Sequence, residues 1–177
     1  SGYSPSLHGI HREIPHAGNP CSIMQTRRTW KNKAVKAQMS VKVHNKSISS
    51  VKKRVWKIFS EYIRKRDCLK TTGCTSWGLC YTCSKRYHFK LLQAGHFIAG
   101  RHNGNLFSEK GVHAQCYNCN VNLKSNPFEY RRRIVKEYGE GYDEVLEREA
   151  QQIKKYSITD LLELEESFKK KIKLLDT

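Results

Sequence analysis

Cys80-x-x-Cys83 and Cys116-x-x-Cys119 each hold two thiols at the separation at which a pair can bite one tetrahedral Zn²⁺, so the two pairs together read as a Cys₄ structural site. Cys68 and Cys74 stay open as alternative ligands, because Cys74-x5-Cys80 also reaches a metal. Between the pairs lies a basic stretch with Gly95-His96-Phe97 and His113-Ala114-Gln115, and Asn120 follows the second pair directly. A histidine that is neutral near pH 7 can take a proton from water, and a hard cation can hold the oxygens of a phosphodiester. The chemistry in view is therefore hydrolysis of a sugar–phosphate linkage beside a sulfur-bound structural ion.

Such groups need rigid elements to hold them. Residues 91–98 read as a short strand, a polar turn follows around Arg101-His102-Asn103-Gly104-Asn105, and residues 111–115 read as a second strand. Beyond the second cysteine pair, Pro127 suits the first turn of a helix, and Phe128, Tyr130, Ile134, Val135 and Tyr138 keep helical spacing up to Gly139. Upstream, Val51, Val55, Ile58, Phe59, Tyr62 and Ile63 predict an amphipathic helix over residues 50–66, capped by Ser49 or Ser50. Its polar face carries Lys52, Lys53, Arg54, Lys57, Arg64, Lys65 and Arg66. His113 shares the two-residue phase of Gln115 and opposes that of Cys116, which allows it to face the same groove as His96. Residues 142–176 are rich in Glu, Lys and Leu, with Ser157 or Thr159-Asp160 as a cap. Their apolar positions either pack back on the parent domain or make a homodimer.

Charge narrows the partner. The net charge is +17, and residues 1–142 carry 26 Lys and Arg against 7 Asp and Glu, whereas residues 143–177 carry 7 against 9. The surplus shares its span with the cysteine motif, which favours a nucleic-acid polyanion over charge that serves solubility alone. No apolar run approaches the roughly 18 residues of a membrane span, and the first thirty residues lack the apolar stretch of a signal peptide. With seven cysteines, an odd number of which four have metal spacing, a reducing cytoplasm is expected. The chain divides into a basic, mostly flexible arm (1–46), a zinc-bearing domain with its leading helix (47–141) and a helical tail (142–177).

The strand–loop–strand–helix order, with a histidine on the first strand, resembles the ββα-metal nucleases of the HNH superfamily, and within it the phage NinG/Rap recombination nucleases. The matching residues are Tyr62-Ile63-Arg64-x-Arg66-Asp67, Cys80-x-x-Cys83, Gly95-His96-Phe97-Ile98, His102-Asn103, Val112-His113-Ala114-Gln115-Cys116-x-x-Cys119-Asn120 and Glu129-Tyr130-Arg131, spanning residues 58–139. The resemblance implies an α+β fold: a small zinc-stabilised ββα-metal core with flanking helices and a helical C-terminal tail. It implies a structure-selective endonuclease acting on branched recombination intermediates such as Holliday junctions or D-loops, in the cytoplasm of a bacterial host. His96 is then the general base, with His113 and Asn120 beside it. Asn120 takes the position of a ligand to a catalytic Mg²⁺ or Mn²⁺, which its amide oxygen suits. Lys52, Lys53, Lys57, Arg101, Arg131, Arg132 and Arg133 are the expected phosphate contacts.

The chain departs from the wider pattern in two places. Many HNH proteins place an acid before the base histidine, where this chain has Gly95, and the middle asparagine falls near Gly111. His113, Gln93, His102 or a substrate phosphate oxygen are the candidate replacements for the acid. The competing expectation is a zinc-containing nucleic-acid module without catalysis, in which Asn120 only caps a helix.

Overall fold

A computed structural model describes residues 47–177, so the expected arm and Cys21 lie outside the described residues. Helix α1 (Ile48–Thr72) starts on Ser47, whose hydroxyl accepts the Ser50 N–H at 3.2 Å, and stops at Gly73, which takes a left-handed φ of 70°. It therefore extends past the expected 50–66 at both ends, and neither Ser49 nor Ser50 is the cap. The extension was hidden because the next buried positions after Ile63 are Asp67 and Cys68, and a buried carboxylate interrupts the apolar period.

Two antiparallel hairpins follow. Strands β1 (Trp77–Leu79) and β2 (Arg86–His88) pair across the turn that carries Cys80 and Cys83, a hairpin that the local sequence did not announce. Strands β3 (Leu92–His96) and β4 (Val112–Cys116) form the second, each close to its expected span. Their register sets Gln93 opposite Gln115, Gly95 opposite His113, and His96 opposite Val112. Side chains alternate along a strand, so Ala94, His96, Val112 and Ala114 leave one face of this hairpin, and Gln93, Gly95, His113 and Gln115 leave the other. Ala94 and Val112 pack into the core built on α1, while Leu92, Ala114 and Cys116 pack with Cys68, Cys80 and Cys119.

After β4 the chain makes one π-helical turn (Asn118–Asn122), then helices α2 (Pro127–Tyr138), α3 (Tyr142–Gln151) and α4 (Ile158–Leu175). Asn120 thus lies inside that turn and not at the start of the following helix, whose cap position is Asn126. Ser157 and Asp160 close a reciprocal capping box on α4. The apolar stripe of α4 packs back on α1: Leu161 and Phe168 join Val51, Val55, Phe59 and Tyr62, with the Phe59 and Phe168 rings 4.9 Å apart. Each such side chain withdrawn from water is worth about 1.5–3 kcal/mol. Ion pairs Arg54–Glu165 and Lys65–Asp176, both at 2.6 Å, cross the same contact. The stripe that the sequence left available to a second copy is thus covered within the chain. No helix among the described residues is long and apolar enough to cross a membrane.

Candidate metal centre and hairpin site

The two hairpins bring the cysteine pairs together. All four Sγ atoms of Cys80, Cys83, Cys116 and Cys119 lie within 4.8 Å of one another, with Cys83 and Cys116 at 3.9 Å. A tetrahedral zinc–thiolate site has sulfur–sulfur edges of about 3.8 Å, so the cluster can hold a structural metal such as zinc. Burial raises the Cys80 thiol, but N–H groups of Cys116, Cys83 and Thr82 outweigh it and bring its pKa down to about 7. Burial pushes Cys83 up to about 12. Sulfurs this close ionise together only around a cation. Cys68 is buried beside the cluster and Cys74 is exposed, and neither sulfur belongs to the four.

His96 is 7% exposed, stacked on Trp56 of α1 at 5.2 Å and 15° between planes, with Nε2 at 3.4 Å from the Leu106 carbonyl oxygen. Burial pulls its pKa down to about 4, against hydrogen bonds to the Leu106 and Asn105 carbonyls that raise it. The Arg101 guanidinium lies 4.7 Å from the Trp56 ring centre, and Lys52 Nζ donates to Asn103 Oδ1 at 3.0 Å. Arg101, one of the expected phosphate contacts, thus stands close enough to His96 for its charge to lower the ring's pKa further, while Lys52 is tied to Asn103 of the following loop.

His113 points the other way. It is 2% exposed, with Nδ1 at 3.1 Å from Asp67 Oδ2, Nε2 at 3.3 Å from the Tyr138 hydroxyl, and its ring stacked on Tyr81 at 3.7 Å. Asp67 also accepts the Ala114 N–H at 2.7 Å and pairs with Arg66, which in turn donates to the Glu109 and Val112 carbonyls. The expected shared groove does not exist, because the register places the two histidines on opposite faces. His113 locks α1 to the hairpin.

The same face carries a polar cluster that sequence reasoning missed. Gln115, fully buried, donates through Nε2 to Thr82 Oγ1 at 3.1 Å and to the Ser125 carbonyl at 2.8 Å, and its Oε1 has no donor among the described residues. Asn120 Nδ2 donates to Gln93 Oε1 at 2.6 Å. A Cβ on Gly95 would lie 2.1 Å from Gln115 Oε1 and 2.7 Å from Asn120 Oδ1, so any larger residue there must push these two amide ends aside. The available signal was a polar residue in the phase of His113 whose strand neighbour lacks a side chain.

The remaining expected phosphate contacts divide. Lys53 and Lys57 are exposed on α1. Arg131 is held by Asp143 and Glu147 of α3, Arg133 by Glu129 at 3.2 Å and Ser84 Oγ at 2.6 Å, and Arg132, 75% exposed, only by Glu129 at 3.1 Å. Arg131 is thus chiefly a clasp between α2 and α3.

A family profile described as "Bacteriophage Lambda NinG protein" matches residues 18–177. The chain belongs to the NinG family. No curated protein and no solved structure matches it. The NinG match runs beyond residues 58–139, on which the resemblance in the sequence rests, and takes in α4. The tail is therefore part of what the NinG family shares.

Proposed function

We propose that this NinG-family protein is a metal-dependent endonuclease that hydrolyses phosphodiesters in branched DNA, with structural zinc in the cysteine cluster and His96 as general base. The observation that carries the reading is the state of His96. Its Nε2 faces a carbonyl oxygen, which can only accept, so the proton sits on Nε2 and Nδ1 keeps its lone pair. Burial holds the ring neutral at physiological pH, the form a base must have, but a pKa near 4 also makes it a weaker base than a free imidazole, a loss that an anionic phosphate beside the ring would reduce. Arg101, beside it, would draw a phosphate toward it. Mg²⁺ or Mn²⁺ bound beside Asn120, on the other face of β3 but only one residue along from His96 at the strand end, would stabilise negative charge on a phosphate lying across that end. Exposed Lys53, Lys57 and Arg132 would add backbone affinity without base readout, so selectivity for a branch would come from shape.

A second reading has its own observation. The His96 ring is nearly closed off and stacked on Trp56, which suits a zinc-containing nucleic-acid-binding module without catalysis. Incubating a synthetic four-way DNA junction with Mg²⁺ separates the two. Hydrolysis by the wild type, reduced about 10²–10⁴-fold in His96→Ala with junction binding intact, is the expected result. Full cleavage by His96→Ala removes the assigned base. Binding without cleavage in either Mg²⁺ or Mn²⁺ establishes the second reading.

A further inference from the structure

We propose that Gln115 is a direct ligand of the divalent ion, in the place where Gly95 leaves no side chain. The inference rests on the proposed function only in requiring an ion beside Asn120. The Gln115 carboxamide is oriented by its donors: both N–H groups are committed, to Thr82 Oγ1 and to the Ser125 carbonyl. Turning the amide over would aim an oxygen at that carbonyl, so Oε1 must point across Gly95. There it meets no donor among the described residues. Asn120, anchored through Nδ2 on Gln93, directs its own Oδ1 to the same place, and the position of a Gly95 Cβ lies 2.1 and 2.7 Å from the two oxygens.

A buried acceptor left unpaired costs about 1–3 kcal/mol, and Gln115 Oε1 is such an acceptor, with Asn120 Oδ1 aimed at the same place. A cation turns the same pair into ligands. Neutral amide oxygens suit hard Mg²⁺ or Mn²⁺ and not a second zinc. The backbone that aims Gln115 is itself strained: Lys124, Ser125 and Asn126 take φ of 47°, 72° and 49°, each a left-handed conformation costing a non-glycine residue about 1–2 kcal/mol. That turn sets the Ser125 carbonyl against Gln115 Nε2. The arrangement also explains Gly95, since a carboxylate side chain there would collide with the amide that replaces it.

The test is Mn²⁺ titration of the full-length, zinc-loaded protein without DNA, read by the EPR signal of free Mn²⁺. The wild type should bind one ion, and Gln115→Met, which keeps volume and removes the oxygen, should bind it at least about tenfold more weakly at unchanged zinc content. Gly95→Asp combined with Gln115→Ala should recover the affinity, because the vacated space admits the carboxylate, whereas Gly95→Asp alone should not. Fe²⁺ in place of Mn²⁺, with ascorbate and peroxide, needs no variant: backbone breaks near residues 95, 115 and 120 are expected, and breaks elsewhere overturn the assignment. If Asn120→Ala loses Mn²⁺ while Gln115→Met keeps it, Gln115 is no ligand and the proposed function stands. If the wild type binds no Mn²⁺ with or without inorganic phosphate, Asn120 is turned over to donate to Gln115 Oε1. This inference and the ion of the proposed function then fail together.

Discussion

The two faces of the β3–β4 hairpin carry one histidine each, one register step apart, and treat them in opposite ways. His113 is built into a network with Asp67, Tyr138, Tyr81 and, through Asp67, Arg66. Among the described residues His96 has no carboxylate partner: it has a carbonyl oxygen, a tryptophan face and the Arg101 cation nearby. The first arrangement fixes geometry, and the second leaves a nitrogen lone pair uncommitted. Residue type says little about a histidine's role here, and the groups across from it say most.

The largest way to break this comparison is to remove what pins both faces. Cys116→Ser, or chelation, should release the metal and lower stability by on the order of 5 kcal/mol or more, seen as lost zinc and a collapsed melting curve. An unchanged melt would mean that the cysteine cluster is no metal centre. Asp67→Ala comes next. It strands His113, Arg66 and the Ala114 N–H, and should cost about 3–5 kcal/mol by urea unfolding. Burial alone would raise the Asp67 carboxyl, but His113, Arg66 and the Ala114 N–H hold it down to about 2. The stability it contributes is thus present above pH 4 and lost as pH falls toward 2, a dependence the variant should lack.

The opposite face predicts a different pH window. The folded pKa of His96 lies near 4, below the roughly 6.5 of an unfolded histidine, so the unfolded chain binds the proton first as pH falls. Stability should therefore decline between pH 6.5 and 4, by about 2 kcal/mol at pH 5, and His96→Gln should flatten that slope in unfolding curves at pH 7 and 5. A slope that survives the substitution would show that the ring is not neutral by burial. The smallest effects concern the arginines of α2. Arg132→Ala should weaken junction binding a few-fold and reduce its salt dependence by about one phosphate contact. Arg131→Ala should instead change stability by no more than about 1 kcal/mol and leave the salt slope alone, because its partners are Asp143 and Glu147.

Spacing along the chain was enough for the cysteine tetrad, for the order of hairpin and helix around it, and for the capped amphipathic tail, because ligand separations and apolar periods are local quantities. It was also enough to put His113 in phase with Gln115. It was not enough to relate either of them to His96: the loop 97–111 sets the strand register, a one-residue slip moves a side chain to the other face, and a loop of that length leaves the slip open. Tertiary packing alone brought Asp67 of α1 to His113, Trp56 to His96 and Glu165 to Arg54. It alone left the Gln115 oxygen without a donor among the described residues. Those pairings join residues far apart in sequence, and only burial, by forcing each polar group to find a partner or lack one, decides which of them meet.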